Sequence, residues 1–273
     1  MNLILLGSAA AEGYPGLFCD CEHCRAARAA GGKNLRLRCA ALVNDDLLLD
    51  FGPDLVAASL RHGLSLAKVR AALITHFHDD HWQPDNVLYH HPWFRAQPAP
   101  TLHLYGGARL EEDVAALCRQ HDQTREEFAV EVHRVRPFEQ FSVGEYEVRS
   151  FAASHSEYTE PMIYAVTQDN RRLLYATDTG PLPGETWEAL RGLQAQLLLM
   201  EMTMGPESNW HHLGRADFLA TLERMKKEAV LAPEAKVVAF HFAHQFTPLH
   251  EQLEKELAEY SIIAGYDGLR VEV

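Results

Sequence analysis

The sequence predicts an α+β fold in which two β-sheets lie against each other under outer helices. Three observations carry that reading. Short apolar runs rich in β-forming residues recur along the chain and alternate with helical patterns. No internal repeat, low-complexity tract or long linker interrupts them, so residues 1–273 read as one domain. Finally, Asp50, His76, Asp178, Glu201 and His241 stand at or just after the C-terminal ends of apolar runs. Strand ends are where a rigid scaffold presents side chains to a shared cleft.

In chain order, strands are expected at Asn2–Ser8, Cys39–Val43, Leu47–Phe51, Ala71–Thr75, Thr101–Tyr105 and Glu131–Val135. Further strands follow at Tyr146–Ala152, Met162–Gln168, Arg172–Thr177, Leu197–Glu201, Lys236–Phe240 and Leu269–Val273. Helices are expected at Pro53–His62, Arg109–Gln120, Glu185–Leu190, Arg215–Glu228 and Pro248–Glu259. Pro53 suits a first helical position, where its missing N–H costs nothing. Leu249, Leu253 and Leu257 recur every four residues and form a stripe for docking on a sheet. Many strands with helices between groups of them give two sheets covered by helices.

Composition narrows the function classes. With 47% hydrophobic residues the chain can bury a sizeable core, and 23% charged residues is ordinary for a globular domain. The net charge of -13 and the lack of any Lys/Arg run weigh against long nucleic acid as a substrate. The segment Met1–Ala11 lacks a positive start, and its apolar run, Leu3–Leu6, is shorter than the roughly 7–15 residues of a signal peptide. No apolar stretch approaches the roughly 20 residues that span a bilayer, so the expected location is cytoplasmic, with no membrane partner. Five cysteines, three of them between Cys19 and Cys24, suggest metal binding rather than a disulfide framework.

The chemistry concentrates in Leu73–His81, which reads Leu-Ile-Thr-His-Phe-His-Asp-Asp-His. A buried strand runs out into His76 and His78, which project the same way in extended backbone and can share one metal. The chain then turns, and Asp80 and His81 can face a second metal. Imidazole and carboxylate donors with open positions are what a catalytic zinc requires. Three His and two Asp within six residues are hard to reconcile with a chance surface cluster, although an isolated His or an Asp before Gly would be unremarkable elsewhere.

These residues match the H-x-H-x-D-H signature of the metallo-β-lactamase superfamily, and the rest of the chain resembles that family in order and spacing. The resemblance implies a four-layer αββα sandwich of two mixed sheets flanked by helices. It implies that Asp50 sits behind the ligands, and that His155, Asp178 and His241 complete them. His76, His78 and His155 would then hold one divalent ion, zinc or manganese. Asp80, His81 and His241 would hold the other, with Asp178 bridging, and water activated between the ions would attack the substrate.

A second cluster, Cys19-Asp20-Cys21-Glu22-His23-Cys24, lies in a loop at about 17–26 and supplies three thiolates for a structural zinc. His244 is the natural fourth donor, with His23 as its local competitor. Cys39 and Cys118 read as ordinary thiols. Together with Gly7-Ser8-Ala9-Ala10-Ala11 and Gly265-Tyr266-Asp267-Gly268, the cluster is similar to the phosphoribosyl 1,2-cyclic phosphate phosphodiesterase branch of the family. That branch implies a small cyclic phosphodiester as substrate, a family-like homodimer, and His212 as the acid that protonates the leaving group, with His211 as its rival. Asp80 and His212 are the residues expected to be catalytic. Arg149, Arg215, Tyr158 and Thr159 stand near motif residues and are candidates to touch a phosphate or sugar. Other readings are a transfer-RNA processing nuclease, a lactonase or thioesterase, and a non-catalytic accessory protein resembling pyrroloquinoline quinone biosynthesis protein B.

Overall fold

In the computed structural model, which describes residues 1–207 and 209–273, the chain builds two seven-stranded sheets. The first half gives β1 (Asn2–Gly7), α1 (Glu22–Ala30), β2 (Ala40–Val43), β3 (Leu47–Leu49), α2 (Leu55–His62) and β4 (Ala71–Leu73). It continues with β5 (Leu102–Gly106), α3 (Arg109–His121), α4 (Arg125–Phe128) and β6 (Val130–Arg134). The second half gives β7 (Gln140–Val143), β8 (Tyr146–Ala152), β9 (Met162–Gln168), β10 (Arg171–Ala176), α5 (Gly184–Leu190) and β11 (Ala195–Glu201). It ends with α6 (Arg215–Lys227), β12 (Leu231–Phe240), α7 (His250–Ala258), β13 (Ile262–Ala264) and β14 (Arg270–Glu272).

The sheet orders are β14-β1-β2-β3-β4-β5-β6 and β13-β12-β11-β10-β9-β8-β7. In the first, pairing is antiparallel from β14 to β3 and parallel from β3 to β6. In the second, it is antiparallel from β7 to β10 and parallel from β10 to β13. Each sheet therefore repeats one topological plan, with β14 crossing over from the chain's end to complete the first, although the sequence shows no repeat at the level of residue identity. β3 and β10 occupy the same place, at the switch between the two pairing modes, where open sheets tend to place ligand sites.

The strands are apolar because they are covered on both sides. Between the sheets lie Leu5, Leu49, Leu73, Tyr164, Tyr175, Leu199 and Phe240, all buried. Outside the first sheet, Leu55, Ala58, Leu110, Val114 and Leu117 of α2 and α3 pack on Leu42, Leu48 and Leu104. Outside the second, Trp187, Phe218, Leu222, Leu253 and Leu257 of α5, α6 and α7 pack on Leu174, Leu198 and Ala239. Two mixed sheets flanked by helices are the architecture expected from sequence. The stripe on α7 docks through Leu253 and Leu257, while Leu249 is half-buried against a small cluster with Tyr14 and Ala27.

Local differences have physical causes. The second helix starts at Leu55, not Pro53, because Asp54 takes the cap position. Its carboxylate is engaged by the Arg38 backbone N–H and guanidinium, at 2.7–3.0 Å, rather than by the helix's own amides. Missing from the sequence reading were α1, α4, β7 and β13. The four-residue α4 rests on a Thr124/Glu127 capping box. β7 and β13 are edge strands of four and three residues, too short for periodicity to register.

One close approach ties the fold to the segment after β4. A Cβ on Gly52 would stand 2.0 Å from the Asp80 carbonyl oxygen, and the Phe51 amide bonds the His81 carbonyl at 2.8 Å. Gly52→Ala is therefore expected to cost about 1–3 kcal/mol of unfolding free energy, measured by denaturant titration. An unchanged midpoint would mean that the Asp80 segment can move away freely.

Candidate metal centre

The end of β4 delivers His76, His78, Asp80 and His81. The loop after β8 delivers His155, β10 delivers Asp178, and β12 delivers His241. Asp50, Asp178 and His241 adopt φ of 66°, 43° and 57°, left-handed backbone that is costly for non-glycine residues and persists only where the surroundings enforce it. The donors of His76, His78 and His155 converge as one group, and those of Asp80, His81, Asp178 and His241 as a second.

In the first group, His76 Nε2 and His155 Nε2 lie 3.0 and 3.1 Å from His78 Nδ1. In the second, His81 Nε2 is 2.5 Å from Asp178 Oδ2, 3.1 Å from Asp80 Oδ2 and 3.3 Å from His241 Nε2. Asp178 Oδ2 also lies 3.0 Å from His241 Nε2 and 3.8 Å from His76 Nε2, so this one oxygen faces both groups.

Each ring's other nitrogen is engaged from behind, which fixes its orientation. His81 Nδ1 donates to Asp50 Oδ2 at 2.7 Å, and Asp50 in turn accepts from Thr75 N, Thr75 Oγ1 and Tyr175 OH. His76 Nδ1 donates to Thr75 Oγ1 at 3.1 Å. His241 Nδ1 donates to Thr203 Oγ1 at 2.9 Å, and that hydroxyl donates to Glu201. His155 Nδ1 donates to the His211 carbonyl at 3.2 Å, and His78 Nε2 pairs with the Tyr158 hydroxyl at 3.2 Å.

Electrostatics shows which charge the site favours. Burial holds His76 well below the ordinary imidazole range and His155 down to about 4, so both favour the neutral, ligating form. Burial also disfavours charge on His81 and His241, but the facing carboxylates outweigh it, driving His81 well up and His241 to about 10. Asp80 and Asp178 are held well below the carboxylate range by those same rings, against the opposing effect of burial. The carboxylates thus demand positive charge at this point. Asp178 Oδ2, buried and facing the Nε2 atoms of His81, His241 and His76, shows where it belongs. The donors fit divalent cations.

His211 and His212 separate cleanly. The His211 backbone carbonyl orients His155 while its ring lies against Trp210. The His212 ring faces the centre, with Nδ1 3.1 Å from Glu201 Oε1 and 3.4 Å from Asp178 Oδ1. Burial lowers its proton affinity, but the bond and charge of Glu201 reverse that and raise it overall.

Cys19, Cys21, Cys24 and His244 also bring their donor atoms together, within 4.8 Å of one another. His244 Nδ1 bonds Glu12 Oε1 at 2.9 Å. His23 turns away, its Nδ1 donating to the His244 carbonyl at 3.0 Å, so it buttresses the cluster from outside. A Cβ on Gly16 would lie 2.8 Å from the His244 ring.

Of the recognition candidates, Tyr158 reaches the centre, but Thr159 is buried and structural, its carbonyl accepting from Phe77 N. Arg149 is spent on the Ala189 carbonyl and Arg215 on Glu256. Sequence reasoning placed Glu201 at a strand end without a role and did not single out Thr75, Thr203 or Tyr175. Single Thr and Tyr residues carry no spacing signal that could have found them.

A beta-lactamase superfamily domain model matches residues 46–242. The chain is 35% identical over 101 residues to ribonuclease Z of Acaryochloris marina, covering 37% of this chain and 32% of that protein. The chain thus spans about a third of that relative's length. A solved diphosphatase of the PhnP family shares the fold with a TM-score of 0.75 at 24% identity, over 100% of this chain and 96% of that one. Zinc-bound PqqB from Methylobacterium extorquens gives a TM-score of 0.70 at 18% identity, over 100% of both chains. The family model spans most of the chain, including every strand from β3 to β12, and its fold brings divalent-metal binding with it: this chain belongs to the beta-lactamase superfamily.

Proposed function

We propose that the chain is a metal-dependent phosphodiesterase that hydrolyses a small, cyclic phosphodiester such as phosphoribosyl 1,2-cyclic phosphate. One observation carries this reading. Asp178 Oδ2 stands between two groups of converging imidazoles with an acid-capable His212 alongside, which is the layout for attack on phosphorus with protonation of the leaving oxygen. His76, His78 and His155 would hold one ion and Asp80, His81 and His241 the other, with Asp178 reaching both. Bound there, two divalent ions lower the pKa of water towards neutrality and offset charge on the phosphoryl oxygens.

The chain's own residues supply the rest. Glu201 holds His212 by Nδ1, so its Nε2–H is free to donate to the departing alkoxide. Asp80 stays anionic through the neutral range, oriented beside His81 and His241, where it would help to hold the second ion. A structural zinc on Cys19, Cys21, Cys24 and His244 would fasten the loop before α1 and the first turn of that helix to the segment after β12. The chain's acidity supports a small substrate over a polyanion. The ribonuclease Z relative supports the competing reading, an RNA-processing nuclease.

Purified protein is expected to hydrolyse bis(p-nitrophenyl) phosphate and a ribose cyclic phosphate, and to lose turnover on chelation or in His78→Ala. Processing of a precursor transfer RNA without turnover of either small diester would favour the nuclease instead. His212→Ala should lower kcat on the alkyl diester by about 10²–10⁴, and by much less on the p-nitrophenyl ester, whose leaving group needs no proton. Equal losses on both substrates would remove His212 from the acid role. Asp50→Asn, which keeps the shape but not the charge behind His81, should weaken metal affinity by about 10–100-fold in equilibrium dialysis.

A further inference from the structure

His103, Glu131 and His133 form a further group of metal-ligating side chains, remote from the hydrolytic centre. Parallel pairing of β5 with β6 sets His103 opposite Glu131 and Tyr105 opposite His133. Alternate residues of a strand share a face, so the three side chains meet on one surface of the first sheet. His103 Nδ1 lies 3.0 Å from His133 Nε2. A Glu131 carboxylate oxygen stands 3.4 Å from the first nitrogen and 3.8 Å from the second. The group sits level with Ala71, at the start of β4, whereas the hydrolytic centre follows that strand's other end.

The rings are held in place. Tyr105 stacks on His133 at 4.4 Å and 14°, and Phe141 of β7 stacks on Tyr105 at 5.3 Å. Protons alone satisfy this triangle poorly. A neutral imidazole pair shares one proton between the two facing nitrogens, and the carboxylate brings further lone pairs to the same space. Protonating both rings would set two cations in contact. A divalent cation accepts a lone pair from all three residues at once.

We propose that His103, Glu131 and His133 bind a divalent transition-metal ion of the class that prefers imidazole and carboxylate, zinc foremost, at a site separate from the hydrolytic centre. The side chains are 34%, 60% and 37% exposed, so the remaining coordination position opens to solvent and the ion exchanges with it. The bound ion pins β6, the edge strand of the first sheet, to β5.

The test is zinc content per chain at fixed free zinc, by equilibrium dialysis of wild-type protein and the His103→Ala/His133→Ala variant. Wild type should hold one equivalent more, with turnover of bis(p-nitrophenyl) phosphate the same in both proteins. Equal zinc content in the two folded proteins would overturn the proposal. Should the double variant not fold, cobalt can be titrated into wild type and Glu131→Gln while the histidine ring protons are followed by NMR. The His103 and His133 resonances should shift and broaden in wild type, with Glu131→Gln needing more cobalt for the same change. Unchanged His103 and His133 resonances in wild type would overturn it equally.

Discussion

Asp178 Oδ2 is buried and faces the imidazole nitrogens of His76, His81 and His241, which come from the ends of two strands, β4 and β12. A carboxylate in that position is tolerable only if positive charge stands beside it, because desolvating an unpaired anion costs many kcal/mol. Protons on His81 and His241 meet the demand in the bare protein, which is why those rings are driven upward. Divalent ions would meet it better, since they would engage His76, His78 and His155 as well, whose burial already favours the neutral state. The polypeptide around Asp178 is therefore arranged to concentrate positive charge at one buried point.

Holding such a site requires rigidity from outside it. Two chains of hydrogen bonds do this in the same way. His76 leans on Thr75 and Asp50, and His241 leans on Thr203 and Glu201. In each, a hydroxyl accepts from the ring and donates to a buried carboxylate, which fixes the tautomer and leaves Nε2 facing inward. Glu201 then serves twice, since its other oxygen holds His212. The ligand scaffold and the proposed acid thus share one anchor. Disturbing Glu201 would perturb both metal position and proton transfer, whereas Asp50 touches the metal side alone.

The layering and the donor run at 76–81 were legible in the sequence because both depend on local pattern. Apolar strands buried on both faces announce themselves, and the spacing of His76, His78, Asp80 and His81 follows from how a strand runs into a turn. Long-range partners were legible only through resemblance. Nothing near Asp178 in the sequence says that it will meet His81. The hydroxyl relays were invisible, because Thr75, Thr203 and Tyr175 are unremarkable residues until folding sets them beside a carboxylate. The group at His103, Glu131 and His133 escaped for a related reason. Glu131 and His133 are two apart on β6, but His103 lies far from them in sequence and joins them only through the register of β5 on β6.

The repeated sheet plan explains why the centre sits where it does. β3 and β10 hold equivalent places, and each is followed by Asp-x-Gly: Asp50-Phe51-Gly52 in one half, Asp178-Thr179-Gly180 in the other. Both aspartates take left-handed backbone. Both glycines lie against a carbonyl of a segment that carries site residues, with a Cβ 2.0 Å from Asp80 O at Gly52 and 2.2 Å from Trp210 O at Gly180. The two aspartates then clamp the same ring, Asp50 at His81 Nδ1 and Asp178 at His81 Nε2, 2.7 and 2.5 Å away. One carboxylate fixes the imidazole from behind, and the equivalent one from the other sheet faces the converging donors of the centre. The centre is thus the seam where two copies of one structural plan meet, and the asymmetry between them arises because only one half contributes the histidine that stands between their aspartates.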